Sequence, residues 1–308
     1  MRVARRRFLG GVAGVLASPA VARGALASPF DAVDRVRSRE RVLFVVIDRP
    51  EDAQLEDHRP NIRGLEAIVA ACDRRLRVTA LTIGEISHLD ASSLDATFEP
   101  LAIIGAGSFT EWYRYGTDAA WRRDLDHWME IVRETTAPML AICGSHQLVA
   151  LAFNGFDAVA HMNDAGAPVP ISAELAAAPP RPMWPARRVG EEGTYPLSAA
   201  PDADADPVVR AVGRAPAVAS HHKDMVVDTT GFSLLYCADD ARAPATSARD
   251  QARSRCVVQA LRRDDPRRVL YTTQFHPEMS SFDESTASDD GAGAAFIRAF
   301  LGVAKRWW

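Results

Sequence analysis

The chain has few cysteines, no long apolar run and no excess of basic residues. Its 308 residues include four cysteines, which are too few for a disulfide framework and form no C-x-x-C pair or zinc-type spacing. No apolar run reaches the roughly 18 residues that span a bilayer. The formal net charge is −4, and no stripe of lysine and arginine with interleaved aromatics occurs. The sequence therefore gives no support to a redox, metal-binding, membrane-spanning or nucleic-acid-binding protein.

The N-terminal segment has the pattern of a secretory signal. Arg5-Arg6-Arg7 runs directly into Phe8-Leu9, an apolar stretch continues to Ala22, and Ala25-Leu26-Ala27 fits a small-residue cleavage site. Paired arginines before Phe-Leu resemble the twin-arginine type of signal. We expect a signal peptide at residues 1–27 and a periplasmic or extracellular protein, with a disordered basic leader as the alternative. Removing this segment takes away five arginines and no acids, which changes the formal charge from −4 to −9.

In the first half of the remaining chain, apolar runs alternate with segments of helical spacing. The runs are rich in β-branched residues and predict strands buried on both faces, as in a parallel sheet. These strands are predicted at residues 41–48, 76–83, 101–104 and 138–142. Helices are predicted between and after them, at residues 61–73, 118–134 and from 145 onward. The alternation indicates a doubly wound, mostly parallel α/β sheet with its ligand site at the carboxyl ends of the strands.

The second half has a different pattern. Residues 155–207 are rich in proline, alanine and aspartate and predict an irregular excursion of loops and short strands. Short apolar runs then predict hairpins that extend the sheet with antiparallel strands. These runs lie at residues 217–220, 232–237, 256–261 and 269–275, and a last helix follows at 291–303. We expect residues 28–308 to form a single domain. Cys237 and Cys256 lie in two of the runs, and the sequence leaves a disulfide bond or two buried free thiols equally open.

Two short stretches carry the residue types of a covalent catalyst. Cys143 lies between small residues, after a predicted strand and before a predicted helix, as a strained nucleophile elbow requires. The N-terminus of that helix favours a thiolate. His276 ends another predicted strand, and Glu278 projects to the same side, where its carboxylate can orient the imidazole. A thiol, a base and an orienting acid together predict acyl transfer through a thioester. Taken singly, Cys143 could be an inert buried thiol and the His-Pro-Glu stretch a surface turn.

The two stretches resemble motifs of the class I glutamine amidotransferase family. Gln274-Phe275-His276-Pro277-Glu278 agrees with the family pattern at every position. The elbow resembles the pattern Cys-x-Gly-His-Gln, except that Gly144-Ser145 stands where the family has x-Gly. Ile103–Gly107 resembles the glycine loop of the family. Ser220–Lys223 resembles a loop that lines the substrate pocket, particularly in the γ-glutamyl hydrolase branch. The likeness covers most of the chain and implies a flavodoxin-like sheet.

This resemblance also implies roles for individual residues. Cys143 is expected to attack a γ-glutamyl carbonyl and form a thioester, while His276 moves protons and Glu278 fixes its tautomer. Beyond this triad, the resemblance implies oxyanion amides at Ala106 and Gly144, and substrate contacts at Gly105, Gln147, His221 and His222. It implies neither a metal nor a cofactor.

Three functions are compatible with these motifs. The sequence favours an exported hydrolase acting on glutamine or a small γ-glutamyl conjugate, because the chain shows no synthase region and ATP is scarce outside the cytoplasm. The glutaminase subunit of an amidotransferase with a separate synthase is a second possibility. A non-catalytic binding protein on the same fold is a third. The substrate and the choice between hydrolysis and transfer stay open.

Overall fold

The computed structural model describes residues 40–162, 168–183, 191–239, 256–279 and 291–308. All of them belong to one compact unit. The predicted signal peptide lies outside the described residues. Within the described ranges, no helix combines the length and the apolar character that a membrane crossing needs.

The described residues contain thirteen strands and nine α-helices. The strands are β1 (Arg41–Val46), β2 (Arg77–Thr82), β3 (Ala102–Gly105), β4 (Met139–Ile142), β5 (Val159–His161), β6 (Val169–Pro170), β7 (Glu191–Pro196), β8 (Ser198–Ala199), β9 (Ala217–His222), β10 (Asp224–Val226), β11 (Phe232–Asp239), β12 (Cys256–Arg263) and β13 (Leu270–Thr273). The helices are α1 (Arg59–Cys72), α2 (Ile83–Ile86), α3 (Ala91–Phe98), α4 (Arg114–Thr117), α5 (Ala119–Glu134), α6 (Gly144–Asn154), α7 (Ile171–Ala176), α8 (Pro207–Val212) and α9 (Ala292–Trp307).

Eight of the strands in the described part of the chain form the main sheet, in the order β2-β1-β3-β4-β13-β12-β11-β8. The first five strands in this order, from β2 to β13, run parallel to one another. The last three are antiparallel to their neighbours. A parallel order in which the first strand lies between the second and the third is the flavodoxin-like arrangement. The predicted mostly parallel sheet with an antiparallel extension is confirmed.

Strand β1 shows why its five buried residues, Val42 to Val46, are all apolar. Phe44 and Val46 point to the face covered by α1 and α9, where Leu65 and Phe296 are fully buried. The intervening Val45 points to the opposite face, which α5 and α6 cover. Successive side chains of a strand alternate between faces, so a strand packed by helices on both sides needs an apolar residue at each step.

The segment at residues 155–207 is more regular than its composition predicts. Strand β5 pairs with β10 on one side and with β6 on the other in one small sheet, and β7 pairs with β9 in another. The prediction that the run at 217–220 extends the main sheet is therefore wrong, because β9 finds its partner in the excursion. The run at 269–275 was likewise expected in an antiparallel extension. Its strand β13 instead lies parallel to β4 on one side and antiparallel to β12 on the other.

A disulfide bond joins Cys237 on β11 to Cys256 on β12, with the two Cα atoms 5.3 Å apart. Cys256 lies opposite Asp239 in the antiparallel ladder, so the bonded residues are diagonal neighbours. Of the two possibilities that the sequence leaves open, the structure contains the bond. The two remaining cysteines, Cys72 and Cys143, are free thiols.

Candidate active site

Cys143 occupies a sharp turn between β4 and α6. Its backbone has φ 48° and ψ −106°, a left-handed conformation that costs a residue with a side chain about 1–3 kcal/mol. Two backbone hydrogen bonds hold it: its N–H donates to Thr273 O at 2.7 Å, and its carbonyl accepts from Gln147 N at 3.1 Å. The strand, turn and helix form the elbow that the sequence predicts, with the cysteine at the helix N-terminus.

The elbow packs directly on the loop that follows β3. A Cβ placed on Gly144 would lie 2.5 Å from Ser108 Cβ and 2.7 Å from Ser108 N, so only glycine fits there. Ser145 donates from its hydroxyl to Ala106 O at 2.6 Å. It has room because Gly105 carries no side chain: a Cβ on Gly105 would lie 2.7 Å from Ser145 Oγ. Gly105 thus faces Ser145, and the structure gives it a packing role where the resemblance implied a substrate contact.

His276 and Glu278 lie on the other side of Cys143. His276 Nδ1 is 2.9 Å from Glu278 Oε1, and the same oxygen accepts from Asn61 Nδ2 at 2.7 Å. A Cβ placed on Gly107 would lie 2.9 Å from His276 Cε1 and 3.4 Å from Cys143 Cβ, so the ring and the cysteine flank the same glycine. The structure therefore brings together the thiol, the imidazole and the carboxylate singled out from the sequence. Asn61 was not singled out, because nothing in the pattern of α1 marks it.

The charges of the three groups depend on one another. Burial by itself lowers the pKa of His276, but the negative charges of Cys143 and Glu278 outweigh it and raise that pKa well above its ordinary value. Burial by itself raises the pKa of Glu278, whereas the His276 charge and the hydrogen bonds from His276 and Asn61 bring it below its ordinary value. The geometry therefore favours an imidazolium held between sulfur and carboxylate.

The sulfur of Cys143 has polar neighbours. It lies 3.7 Å from the carbonyl oxygen of His221 and 3.7 Å from Gln274 Nε2, which donates to it. An inert structural cysteine is surrounded by hydrocarbon. These contacts, together with the histidine beside it, are typical of a reactive thiol.

The oxyanion donor expected at Ala106 does not fit the structure. Its N–H already donates to Val45 O at 2.9 Å, as the last bond between β3 and β1. The next amide along the loop belongs to Gly107, which lies against Cys143 and His276, and no acceptor for it occurs among the described residues. Gly107 therefore replaces Ala106 as the loop's candidate donor. Gly144, the second expected donor, follows Cys143 at the start of α6, where helix N–H groups lack intrahelical partners.

Gln147 is linked to the sulfur of Cys143 through Gln274. Its Oε1 accepts from Trp112 Nε1 at 2.9 Å, and its Nε2 is 3.2 Å from both Gln274 Oε1 and the carbonyl oxygen of Asp224. The side chain is buried, and these contacts use both of its polar atoms. In this structure Gln147 braces Gln274, which in turn contacts Cys143, instead of facing an open pocket as the resemblance implied.

The two histidines of the predicted substrate loop have different environments. His221 is exposed, and burial of part of its ring together with the nearby His276 lowers its pKa, against the opposing charge of Glu192. His222 is buried, and its Nδ1 donates to Asp224 O at 2.9 Å. Of the two, only His221 is exposed, so it is the one that remains a candidate for direct contact with a substrate.

A buried cluster of charged side chains lies next to the backbone that Gln147 and His222 contact. His161 lies between Asp224 and Glu174, with its two ring nitrogens 2.5 Å and 2.7 Å from their carboxylate oxygens. Burial lowers the pKa of His161, but the hydrogen bonds to the two acids raise it to about 9. Since Asp224 O also accepts from Gln147 and His222, the cluster fixes the backbone behind the sulfur. Within the described ranges, no group of three or more histidine, cysteine or acidic residues has an arrangement that could hold a metal ion.

Comparison with known proteins finds a matching family model and solved structures with a similar fold. The family model described as "Glutamine amidotransferase class-I" matches residues 120–288. No curated protein matches the chain. Similar solved structures include a glutamine amidotransferase from Thermotoga maritima, with 14% identity and a TM-score of 0.54 over 86% of this chain and 97% of that one.

Two further structures share the fold at similar identity. A putative GMP synthase subunit from Thermoplasma acidophilum has 16% identity and a TM-score of 0.53, over 86% of this chain and 94% of that one. The glutaminase domain of Trypanosoma brucei CTPS with bound acivicin has 15% identity and a TM-score of 0.51, over 86% and 94%. Because the glutamine amidotransferase model matches more than half of the residues of this chain, the chain belongs to the class I glutamine amidotransferase family.

Proposed function

We propose that the protein is an exported cysteine hydrolase that cleaves the γ-glutamyl amide bond of glutamine or a γ-glutamyl conjugate. The observation that carries this proposal is the arrangement of Cys143 at a strained helix N-terminus, beside a histidine whose pKa is raised and whose ring is oriented by Glu278. A nucleophile, a proton carrier and an orienting acid in contact are what covalent acyl transfer needs.

In the first step, the sulfur of Cys143 forms a bond to the γ-carbonyl carbon. The negative charge that develops on the carbonyl oxygen is stabilised by the N–H groups of Gly144 and Gly107. The carbon–nitrogen bond then breaks, and the amine or ammonia leaves with the proton that His276 supplies. Glu278, held by Asn61, keeps the imidazole in the tautomer and orientation that this transfer requires.

In the second step, a water molecule gives a proton to His276 and attacks the thioester carbon. The carbon–sulfur bond breaks, so that glutamate is released and Cys143 returns as the thiolate beside an imidazolium. The exposed ring of His221 lies close to His276 and is positioned to contact the glutamyl group. No redox step and no co-reactant other than water is needed.

A glutaminase component that supplies ammonia to a separate synthase is the second candidate. It is supported by two solved structures with the same fold, one described as a CTPS glutaminase domain and the other as part of a GMP synthase. The basic, then apolar, N-terminal segment supports the free hydrolase, because an exported protein would work where ATP is scarce. A binding protein without activity is supported least, since such a protein has no use for a strained cysteine beside a paired histidine.

Purified protein should release ammonia from glutamine, or an amine from at least one member of a panel of γ-glutamyl amides. Cys143→Ala should lower kcat/KM by about 10³-fold or more. Cys72→Ala is the matched control, because Cys72 is the other free thiol and lies in α1. Activity that survives in Cys143→Ala would refute the proposed nucleophile. Equal alkylation rates at both cysteines would favour the binding protein.

Export can be tested on the N-terminal segment alone. A reporter carrying residues 1–27 should reach the periplasm of a bacterial host, and changing Arg5 and Arg6 to lysine should retain it in the cytoplasm. Retention of the unchanged fusion would refute export while leaving the hydrolase proposal standing.

A further inference from the structure

The buried carboxylate of Asp48 is a centre of hydrogen bonding next to the site. Asp48 follows β1, and its Oδ1 accepts from Ser108 Oγ at 2.7 Å, Phe109 N at 2.6 Å and Thr110 N at 2.8 Å. These three donors are consecutive residues of the loop after β3. One carboxylate oxygen therefore fixes the whole turn that follows Gly107.

The other oxygen of Asp48 contacts a second buried residue. His58 Nε2 is 2.7 Å from Asp48 Oδ2, and the His58 ring packs against Phe109 with the ring centres 5.2 Å apart. His58 is also the residue that caps the N-terminus of α1, where its carbonyl accepts from Ile62 N at 2.9 Å. Asp48 and His58 thus connect the loop after β3 to the start of α1.

Both ends of this connection contact the proposed catalytic machinery. On one side, the loop that Asp48 holds includes Ser108. This residue directly follows Gly107, one proposed oxyanion donor, and lies against Gly144, the other. On the other side, α1 carries Asn61 one turn after His58, and Asn61 donates to Glu278. A carboxylate removed from water is costly unless it is fully hydrogen-bonded. Its four contacts here go to the loop after Gly107 and to His58 at the start of α1.

We propose that Asp48 and His58 are positioning residues, which hold the Gly107 amide at the oxyanion and Asn61 against Glu278. The proposal rests on the proposed function, since an oxyanion donor matters only in acyl transfer. Neither residue touches the substrate or the reacting atoms. An amide displaced by about 1 Å stabilises the transition state much less, while the substrate still binds.

Three substitutions test whether Asp48 and His58 position these groups. Asp48→Asn keeps the shape and removes the charge, and His58→Gln keeps a single donor. Ser108→Ala removes one of the four contacts and serves if the other variants fold poorly. Asp206→Asn is the matched control, because Asp206 is equally buried, at 3% exposure, and also accepts two backbone amides. Its partners lie on α8, β12 and β13, outside the site.

Four measurements are compared across these variants. The first is kcat and KM for a γ-glutamyl amide that the wild type hydrolyses. The second is the affinity of a γ-glutamyl aldehyde, which adds to the Cys143 sulfur and places a negative oxygen at the donors. The third is the rate at which iodoacetamide alkylates Cys143, a reaction that forms no oxyanion. Hydrogen exchange of the peptide covering residues 105–112 reports the loop directly.

Asp48→Asn and His58→Gln should lower kcat by about 10–100-fold, with KM within about threefold of the wild type. Aldehyde affinity should fall in parallel, alkylation should stay within about threefold, and the loop should exchange faster. Asp206→Asn should leave all four measurements unchanged. Unchanged kcat and exchange in a folded Asp48→Asn protein would overturn the proposal, and so would an alkylation rate that falls together with kcat. If the wild type hydrolyses nothing in a Cys143-dependent way, the proposed function fails, while hydrogen exchange still decides whether Asp48 holds the loop.

Discussion

The contact between Gly105 and Ser145 predicts that substitutions at these two positions affect stability jointly. Ser145 stands where the family has glycine, and its side chain occupies the space over Gly105. A Cβ on Gly105 would meet Ser145 Oγ at 2.7 Å and Ser145 Cβ at 2.8 Å, while its next neighbour, Ala141 Cα, is at an ordinary 3.9 Å. Gly105→Ala should therefore be obstructed by Ser145 alone, and Ser145→Gly should remove the obstruction.

The expected loss in the free energy of unfolding follows from these distances. The added methyl group is roughly 0.7 Å closer to Ser145 Oγ than the 3.4 Å of an ordinary contact, and Gly105 is paired with β1 on one side and β4 on the other. Overpacking of this kind costs about 2 kcal/mol, so Gly105→Ala should lower the free energy of unfolding by about that amount. Ser145→Gly loses the hydrogen bond to Ala106 O and places glycine in α6, which together cost about 1.5 kcal/mol. The double variant should cost no more than Ser145→Gly alone.

Urea unfolding of the four proteins measures this coupling as a double-mutant cycle. The expected coupling free energy is about 2 kcal/mol in favour of the double variant. Activity should follow the same pattern, because pushing β3 away from the elbow separates Gly107 from Gly144. Gly105→Ala should lower kcat, and the double variant should recover most of it. Free energies that add within about 0.5 kcal/mol would show that Ser145 does not set the spacing of the elbow and the loop.

Three other predictions concern groups around the site and the sheet. Asn61→Leu should lower kcat about tenfold, because Glu278 loses a hydrogen bond to a charged group, whereas Asn61→Asp should do worse; steady-state kinetics measures both. The contribution of His161 to stability is complete below pH 6.5 and is lost as the pH rises through about 9, so urea midpoints should fall over that range in the wild type and stay flat in His161→Gln. Reducing the Cys237–Cys256 bond, which closes a separation of 19 residues, should lower the free energy of unfolding by about 3 kcal/mol, and a Cys237→Ala/Cys256→Ala protein should not respond to the reductant.

The parallel half of the fold could be predicted because each of its strands has a distinctive sequence pattern. A strand such as β1 is covered on both faces, so its residues from Val42 to Val46 are all apolar and the run stands out from the helices around it. Strand pairing outside that region could not be predicted in the same way. The run that forms β9 has no feature that distinguishes β7 from a main-sheet strand as its partner, since both pairings use the same backbone hydrogen bonds.

The site was predictable where a residue type and its spacing carry chemistry. Cys143, His276 and Glu278 belong to that group. Asn61 does not, because its partner Glu278 is 217 residues away and an asparagine in the first turn of a helix is unremarkable by itself. The choice of Ala106 failed for another reason: the register of β3 against β1 decides which amide of the loop is already bonded, and the sequence does not contain that register.

The strand order explains why residues so far apart in the chain form one site. Strands β1, β3, β4 and β13 are neighbours in the sheet and run parallel, so their carboxyl ends meet at one edge. Asp48, Gly107, Cys143 and His276 each lie within three residues of one of those four ends. The ladder bond from Cys143 N to Thr273 O then fixes the end of β4 against the end of β13, and thereby the distance between sulfur and imidazole. Because a one-residue slip of β13 would turn its side chains to the opposite face, the hydrophobic pattern that sets the register also sets the chemistry.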